Sequence, residues 1–355
     1  MKRSTDRNVP LSEHTTLGVG GPAARLVKAA SPGDLIGLVA AADTEGTNVL
    51  LLAGGSNVLI SDAGFDGLVI KPTCSEGTEA QLPDGSLLLD YAAGYNWDEL
   101  VAETVEAGLS GIEALSGIPG SLGAAPMQNI GAYGQELAET VRGVHVYDRQ
   151  LRRARQFSVQ DCAFGYRTSV FKHTDRYVIL SVQLRLTPSE LSRPVRYQEL
   201  ADELGIAVGE RAPLRDVREA VLKLRRSKGM VLDPADPDTR SAGSFFLNPV
   251  IPAATAQKLP AAAPRWPLAD DQVKVSAAWL IEQAGFKRGY SGQHPQVALS
   301  GKHTLAITNR GGAKAEHIAA LAAEIRAGVA NKFGVTLDPE PRFIGVELPE
   351  SNAVA

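Results

Sequence analysis

Apolar positions recur along this chain in two rhythms. With period two, Val178, Leu180, Val182, Leu184 and Leu186 alternate through Tyr177 to Leu186, and the spacing predicts a strand with these five side chains on one face. Shorter β-rich runs at Asn48 to Ala53, Leu68 to Lys71, Ser86 to Tyr91, Val141 to Tyr147 and Leu305 to Thr308 predict further strands. With the helical period, Leu100, Val101 and Val105 form an inward stripe from Asn96 to Ala107, stopped by Gly108. Leu214, Val217, Val221 and Leu224 do the same behind Pro213, with Gly229 as the stop. Two later helices are expected from Ser276 to Ala284, closed by Gly285, and from Ala315 to Phe333, with Ile318, Leu321, Ile325 and Val329 on one side and Gly334 at the end. Strands and helices do not alternate regularly, so the pattern predicts an α+β fold rather than a doubly wound sheet.

Between these elements, Asp233 to Arg240 carries Pro234, Pro237 and three aspartates and reads as a loop and a domain boundary. The alanine- and proline-rich stretch Pro252 to Pro267 reads as a surface loop. A length of 355 residues is long for one core, so two or three domains are expected. Lys+Arg 36 against Asp+Glu 40 leaves a net charge of -4, which forms no basic field for nucleic acid or anionic lipid. Cys74 and Cys162 are too few for a disulfide framework and have no zinc-site spacing, which points to a reducing compartment and no metal. Lys2 and Arg3 have no apolar stretch behind them, and runs such as Val49 to Ala53 are far below the roughly 20 residues of a membrane span, so neither secretion nor insertion is expected.

Two glycine-rich segments concentrate the candidate chemistry. Gly54, Gly55, Ser56 and Asn57 follow an apolar strand, where backbone N–H groups without Cβ obstruction could cradle a phosphate. A plain glycine turn joining two strands explains the same residues. The longer segment from Ser116 to Gly134 keeps small residues with hardly any charge, which suits a chain lying against a large, flat, apolar cofactor; a tight buried turn is the alternative. Neither segment matches the dinucleotide fingerprint, and Gly18 to Pro22 does not either.

Five blocks in order, Ile118-Pro119-Gly120, Gln128 to Gly134, Tyr166-Arg167 with Ser169 and Phe171-Lys172, Gly243 to Phe246 with Asn248-Pro249, and Pro339-Glu340 with Arg342 to Gly345, resemble the UDP-N-acetylenolpyruvoylglucosamine reductase family. That family lies within the flavin-binding superfamily of vanillyl-alcohol oxidase and p-cresol methylhydroxylase. The resemblance runs from about Thr15 to Gly345. It implies an α+β architecture with an FAD-binding region of two α/β subdomains over residues 1–188, divided near 72. A tyrosine loop and connecting helix would follow over 189–232, then an α+β substrate-binding domain over 233–345 and a flexible tail over 346–355. The implied activity is NADPH-dependent, FAD-mediated reduction of an enolpyruvyl sugar nucleotide in peptidoglycan precursor synthesis, in the cytoplasm, by a monomer or weak dimer.

Delivering hydride to one alkene carbon and a proton to its neighbour requires a cation for the developing carboxylate charge and an acid. By resemblance Arg167 supplies the cation, Ser244 the proton, and Glu340 polarises the intermediate or relays the proton. Non-covalent FAD would be held by Gly54, Gly55, Ser56, Asn57, Ile118, Pro119, Gly120, Ser121, Gly123, Gln128, Asn129, Gly131, Ala132 and Tyr133. The sugar nucleotide would be held by Tyr166, Tyr197, Lys228, Asn248 and His303, and Lys228 could also touch the nicotinamide. Two positions depart from the family pattern. Leu247 stands where a lysine or other polar residue is expected, and His303 where a substrate-contacting glutamine is common. Two other readings remain at this point: a flavin oxidase of the same superfamily, although Ala53 to Gly67 offers no histidine or cysteine to tether flavin, and a sugar-nucleotide sensor without turnover.

Overall fold

The structure is a computed structural model that describes residues 5–349. The tail expected over 346–355 thus lies largely outside the described residues, as does the N-terminal basic pair. The chain divides into two compact units. One comprises Ala23–Gly54 and Asp66–Ser227 with residues 5–9; the other comprises Pro10–Pro22, Gly55–Phe65 and residues 228–349.

Two larger sheets build the first unit. In one, the strands Asp6–Pro10, Pro22–Ala29, Phe65–Pro72 and Val49–Leu51 lie side by side in that order, the last two parallel. Helix α1, Pro32–Glu45, packs Leu35, Val39 and Ala42 into the core beside it. Its start and stop are written locally: the Ser31 hydroxyl accepts from the Asp34 N–H, Pro32 occupies the first turn, and Gly46 takes the left-handed stop at φ 66°. The second sheet runs Arg153–Ser158, Val141–Asp148, Tyr177–Pro188, Leu87–Ala92, Gly77–Gln81, with Leu109–Ser110 pairing the end of the long strand.

The predicted long strand is present, but its five apolar side chains do not share one face. Val146 pairs with Ile179 and His145 with Ser181, so Leu180 is an extra, bulged residue. A bulge shifts the alternation by one position. Val178 and Leu180 consequently join the core around Leu35 and Ile70, whereas Ile179, Val182, Leu184 and Leu186 join Leu100, Leu122 and Phe171 on the other side. One strand therefore serves two cores.

Helix α2, Trp97–Glu106, is capped by Asn96, whose side chain accepts from the Asp98 and Glu99 N–H groups. Helices α3, Gln198–Leu204, and α4, Leu214–Ser227, pack together through Leu200, Ala201, Val217 and Val221.

In the second unit, Val58–Ile60 pairs in parallel with Arg342–Ile344, so the end of the chain returns beside the segment that follows the first glycine loop. The stretch Pro252 to Pro267, expected as loop, contributes two strands and a helix turn instead. Val250–Pro252 and Arg265–Pro267 flank Gln272–Val275, and α5, Ala253–Ala256, lies between them. The prolines are tolerated because they fall on the outer strands, where a missing N–H breaks no ladder. The predicted loop over Asp233 to Arg240 lies inside this unit and is pinned by Lys302 on Asp236 and Arg310 on Asp238, both at 2.6 Å. Helices α6, Ala277–Gln283, and α7, Ala315–Phe333, bury Leu280, Ile318 and Ile325 against Phe245, Phe246, Val297 and Ile307. Among the described residues no helix is long and apolar enough to cross a membrane.

Candidate active site

In the first unit the second glycine segment is stitched to the start of α2. Trp97 N–H donates to Gly120 O, Leu122 N–H to Tyr95 O and Gly123 N–H to Ala93 O. Gly117 is gripped on both sides, its N–H by Asp98 Oδ1 at 2.6 Å and its carbonyl by Arg225 Nε at 3.1 Å. Burial would raise the Asp98 carboxyl, but the Arg218 guanidinium and the Gly117 N–H hold it below its ordinary value. Arg225 is itself buried at the end of α4, and burial is the main cause lowering its affinity for its proton. Sequence reasoning missed this arginine, although its place four residues after Val221 puts a charge on the inward stripe of the helix.

The loop so fixed fits a flat, phosphate-bearing cofactor by two observations. A Cβ on Gly54 would lie 3.0 Å from Gly120 Cα, so the two glycine loops approach as closely as bare backbone allows. Ser121 Oγ is buried with no hydrogen-bond partner among the described residues, a state that costs free energy until a ligand supplies one. Gly54, Ile118, Pro119, Gly120, Ser121 and Gly123 thus lie together in this unit. Gly55 to Asn57 belong to the other unit, where Gly55, at φ 61°, would bring a Cβ within 1.9 Å of His14 O. The glycine there is a backbone requirement of its own unit.

After the 3-10 turn Leu122–Gln128, Asn129 takes φ 47° and spends its side chain on the protein. Its Nδ2 donates to Glu136 Oε2 and Gly165 O, and its Oδ1 accepts from Ala138 N–H. The motif asparagine thereby braces the loop. Gly131–Ala132 pairs with Gln135–Glu136 in a two-residue hairpin whose central Tyr133 and Gly134 both have positive φ. Burial raises the Tyr133 phenol to about 12, with the Arg225 charge opposing, and the Tyr197 ring meets it edge-on at 5.7 Å. Tyr197 sits at the N-terminus of α3 and is 46% exposed.

Arg167 occupies the third position of the turn Gly165 to Thr168 at φ 51°, a conformation a bulky residue keeps only where its surroundings enforce it. The surroundings do so. Its guanidinium donates to the carbonyls of Gly131 and Asn129, its face lies 5.5 Å from the Tyr166 ring, and Lys172 Nζ donates to its carbonyl at 2.8 Å. Two of five N–H donors are thus used to aim a planar, permanently charged fork.

In the second unit, Ser244 precedes Phe245 and Phe246, which are 0% and 1% exposed. The segment is held on both sides: Phe245 N–H donates to Leu305 O at 2.7 Å, and Glu340 N–H donates to Phe245 O at 2.8 Å. Phe246 bridges Pro339, so the serine and the C-terminal glutamate lie on adjacent antiparallel segments. Asn57 Nδ2 reaches Glu340 O at 3.4 Å, tying the loop after Gly55 to the same place. Ser244 Oγ lies 3.4 Å from His303 Nε2. Burial, followed by the positive charges of Lys228 and Arg288, pushes the His303 imidazole down to about 4, so it is neutral at physiological pH. Asn248 Oδ1 accepts from Ala277 N–H at the start of α6, a structural duty not foreseen for it.

Residues 234–344 match the model of the UDP-N-acetylenolpyruvoylglucosamine reductase C-terminal domain, and residues 23–150 match an FAD binding domain. The UDP-N-acetylenolpyruvoylglucosamine reductase of Thermobifida fusca (strain YX) is 53% identical over 98% of this chain and 100% of its own length. This chain belongs to the UDP-N-acetylenolpyruvoylglucosamine reductase family. The reductase of Salinispora arenicola (strain CNS-205) is 51% identical over 97% of this chain and 96% of its own. In fold, the crystal structure of the family member from Thermus caldophilus matches with a TM-score of 0.63 at 24% identity, covering 96% of this chain and 99% of that one. As a family member the chain is an FAD-dependent oxidoreductase, and its expected α+β fold, with an FAD binding domain followed by the family's C-terminal domain, stands.

Proposed function

We propose that Arg167, Ser244 and Glu340 are the groups with which this chain, an NADPH-dependent reductase of UDP-N-acetylenolpyruvoylglucosamine in peptidoglycan precursor synthesis, carries out its reaction. The observation that carries the reading is the local preparation of each group: a strained, twice-anchored guanidinium at Arg167, and a serine directly before Phe245, whose N–H and carbonyl are both bonded, beside the glutamate segment. Bound FAD would supply the hydride chemistry between NADPH and the enolpyruvyl alkene. Arg167 meets the substrate carboxylate as negative charge builds there, and its fixed geometry spares reorganisation at that moment. Ser244 gives its proton to the neighbouring carbon, with the buried phenylalanines behind it keeping bulk water from bypassing it. Glu340 polarises the carboxylate intermediate or passes on the proton.

Gly54, Ile118 to Ser121 and Gly123 hold the flavin diphosphate, with Gly55, Ser56, Asn57, Gln128, Gly131, Ala132 and Tyr133 completing the cofactor's surroundings, while Asn129 braces them. Lys228, Tyr166, Tyr197 and Asn248 receive the sugar nucleotide. Two buried, free cysteines suit the reducing conditions of the cytoplasm, where we place the reaction. The visible spectrum of the purified protein tests the function: flavin bands should bleach with NADPH and return on adding the enolpyruvyl sugar nucleotide. Bands that return with oxygen but not with that nucleotide would make the chain an oxidase.

Tyr197 acts as a lid contact in this reading. It is half exposed at the head of α3, with its ring braced by Tyr133. A phenol hydrogen bond to a diphosphate oxygen is made equally in ground and transition states, so it lowers KM and leaves kcat alone. Tyr197→Phe should raise KM for the sugar nucleotide by an amount equivalent to about 1.5–3 kcal/mol, the range of a hydrogen bond to a charged group. Steady-state kinetics checks this, and a collapse of kcat at unchanged KM would count the tyrosine among the catalytic groups.

A further inference from the structure

The His303 imidazole approaches the Ser244 hydroxyl, and the reaction described so far gives that ring no part. Its position is built rather than incidental. Ser300, fully buried, accepts from the His303 and Lys302 N–H groups, and Ala306 N–H donates to His303 O, so the turn that carries the ring is closed on itself. The same turn offers its Leu305 carbonyl to Phe245 N–H, locking it to the residue beside Ser244. Serine and histidine are therefore held at a fixed separation by backbone bonds at both ends. The distance of 3.4 Å is long for a finished hydrogen bond and short enough to tighten as a substrate closes the site.

Which group donates decides what the contact does. A neutral imidazole has one N–H and one lone pair. If Nε2 were the acceptor it would hold the serine proton, the one the substrate carbon must receive. If Nε2 carries the hydrogen, it donates to Oγ and leaves the serine O–H free to point elsewhere.

Resting on the reading of Ser244 as proton donor, we propose that His303 is a positioning residue for it: the Nε2–H donates to Ser244 Oγ, aims the hydroxyl hydrogen at the substrate and supports the oxygen as its proton leaves. In the step concerned, the Oγ–H bond breaks and the electron pair of the enolate intermediate forms the new C–H bond. The serine oxygen is left with the negative charge that the Nε2–H stabilises, and water then returns the proton to it. The role asks for an imidazole that stays neutral while donating. Burial and the two cations that face the ring, Lys228 and Arg288, meet that requirement by disfavouring a second proton.

The test is stopped-flow reoxidation of the NADPH-reduced holoenzyme by the enolpyruvyl sugar nucleotide, for wild type, Ser244→Ala, His303→Leu and His303→Gln. His303→Leu should reoxidise about 100-fold slower, the loss usual for removing one donor to a developing oxyanion, while flavin reduction by NADPH keeps its rate. His303→Gln, whose amide N–H can take the place of Nε2–H, should restore most of that loss, which a merely space-filling role would not require. Wild-type reoxidation should show no titration by this group between about pH 5 and 8, because the neutral form persists throughout. If Ser244→Ala is slow but His303→Leu runs at the wild-type rate, the inference falls and the serine assignment stands. If Ser244→Ala itself runs at the wild-type rate, both fall. A reoxidation limb with a midpoint near the ordinary histidine value of about 6.5 that disappears in His303→Gln would show a titrating histidine and overturn the neutral-donor role.

Discussion

Ser244→Ala should bleach with NADPH as the wild type does and then reoxidise with the enolpyruvyl sugar nucleotide at least ~100-fold more slowly, the usual loss for a general acid. The substitution removes the side-chain oxygen and leaves the backbone fixed, because the bonds holding the segment run from Phe245 N–H to Leu305 O and from Glu340 N–H to Phe245 O. Phe245 and Phe246 remain buried in the core of the second unit, so a water molecule gains no easy route from behind the missing hydroxyl. The acid is needed only after hydride has reached the substrate, and the first half-reaction therefore serves as an internal control for folding and flavin binding. Reoxidation within a few-fold of wild type would make Ser244 structural.

Gly54→Val should purify with its flavin content greatly reduced. Gly54 is not among the glycines with positive φ, so valine there is limited chiefly by space. A Cβ would already lie 3.0 Å from Gly120 Cα and 3.4 Å from Gly120 N, and the branched side chain must push the two loops apart. Overpacking of this kind costs about 1–3 kcal/mol, and if it is exerted on the cofactor cradle the flavin affinity drops ~10-fold or more. Gly55→Val is a poorer probe, since its left-handed φ and the His14 carbonyl 1.9 Å from the new Cβ would strain the second unit whether or not flavin is bound. Ser121→Ala separates folding from binding: it removes a buried, unpartnered hydroxyl, so the flavin-free protein should lose no stability while the flavin dissociates more readily. Full flavin occupancy after dialysis in both Gly54→Val and Ser121→Ala would remove the diphosphate from these loops.

Much of the architecture is legible in the chain because its signals are local. Helix α2 begins after Asn96 and α6 after Ser276, whose side chains accept the first free N–H groups, and α7 ends at Gly334 in the left-handed conformation. Helix α1 is harder to read although Ser31, Pro32 and Gly46 mark both ends, because its alanine-rich interior shows little amphipathic contrast. The stretch Pro252 to Pro267 misleads for the opposite reason: its composition speaks of loop, and only pairing with Gln272–Val275 turns its ends into strands.

The sequence by itself determined the contiguous motifs, namely the two glycine segments and the blocks holding Arg167, Ser244 and Glu340 in that order, through which the chain resembles its family and from which these groups are proposed for its chemistry. Tertiary structure alone decided what those residues meet. That Leu180 bulges and sends one strand into two cores follows from pairing with Val141–Asp148, not from its own alternation. That Gly54 faces Gly120 while Gly55 faces His14, that Asn129 is consumed by Glu136, Gly165 and Ala138, and that Arg225 grips Gly117 are contacts between segments separated in the chain. The approach of His303 to Ser244 spans 59 residues. Periodicity and caps act over one or two turns of chain, whereas such contacts exist only once burial has chosen among many possible neighbours, and no local pattern carries that choice.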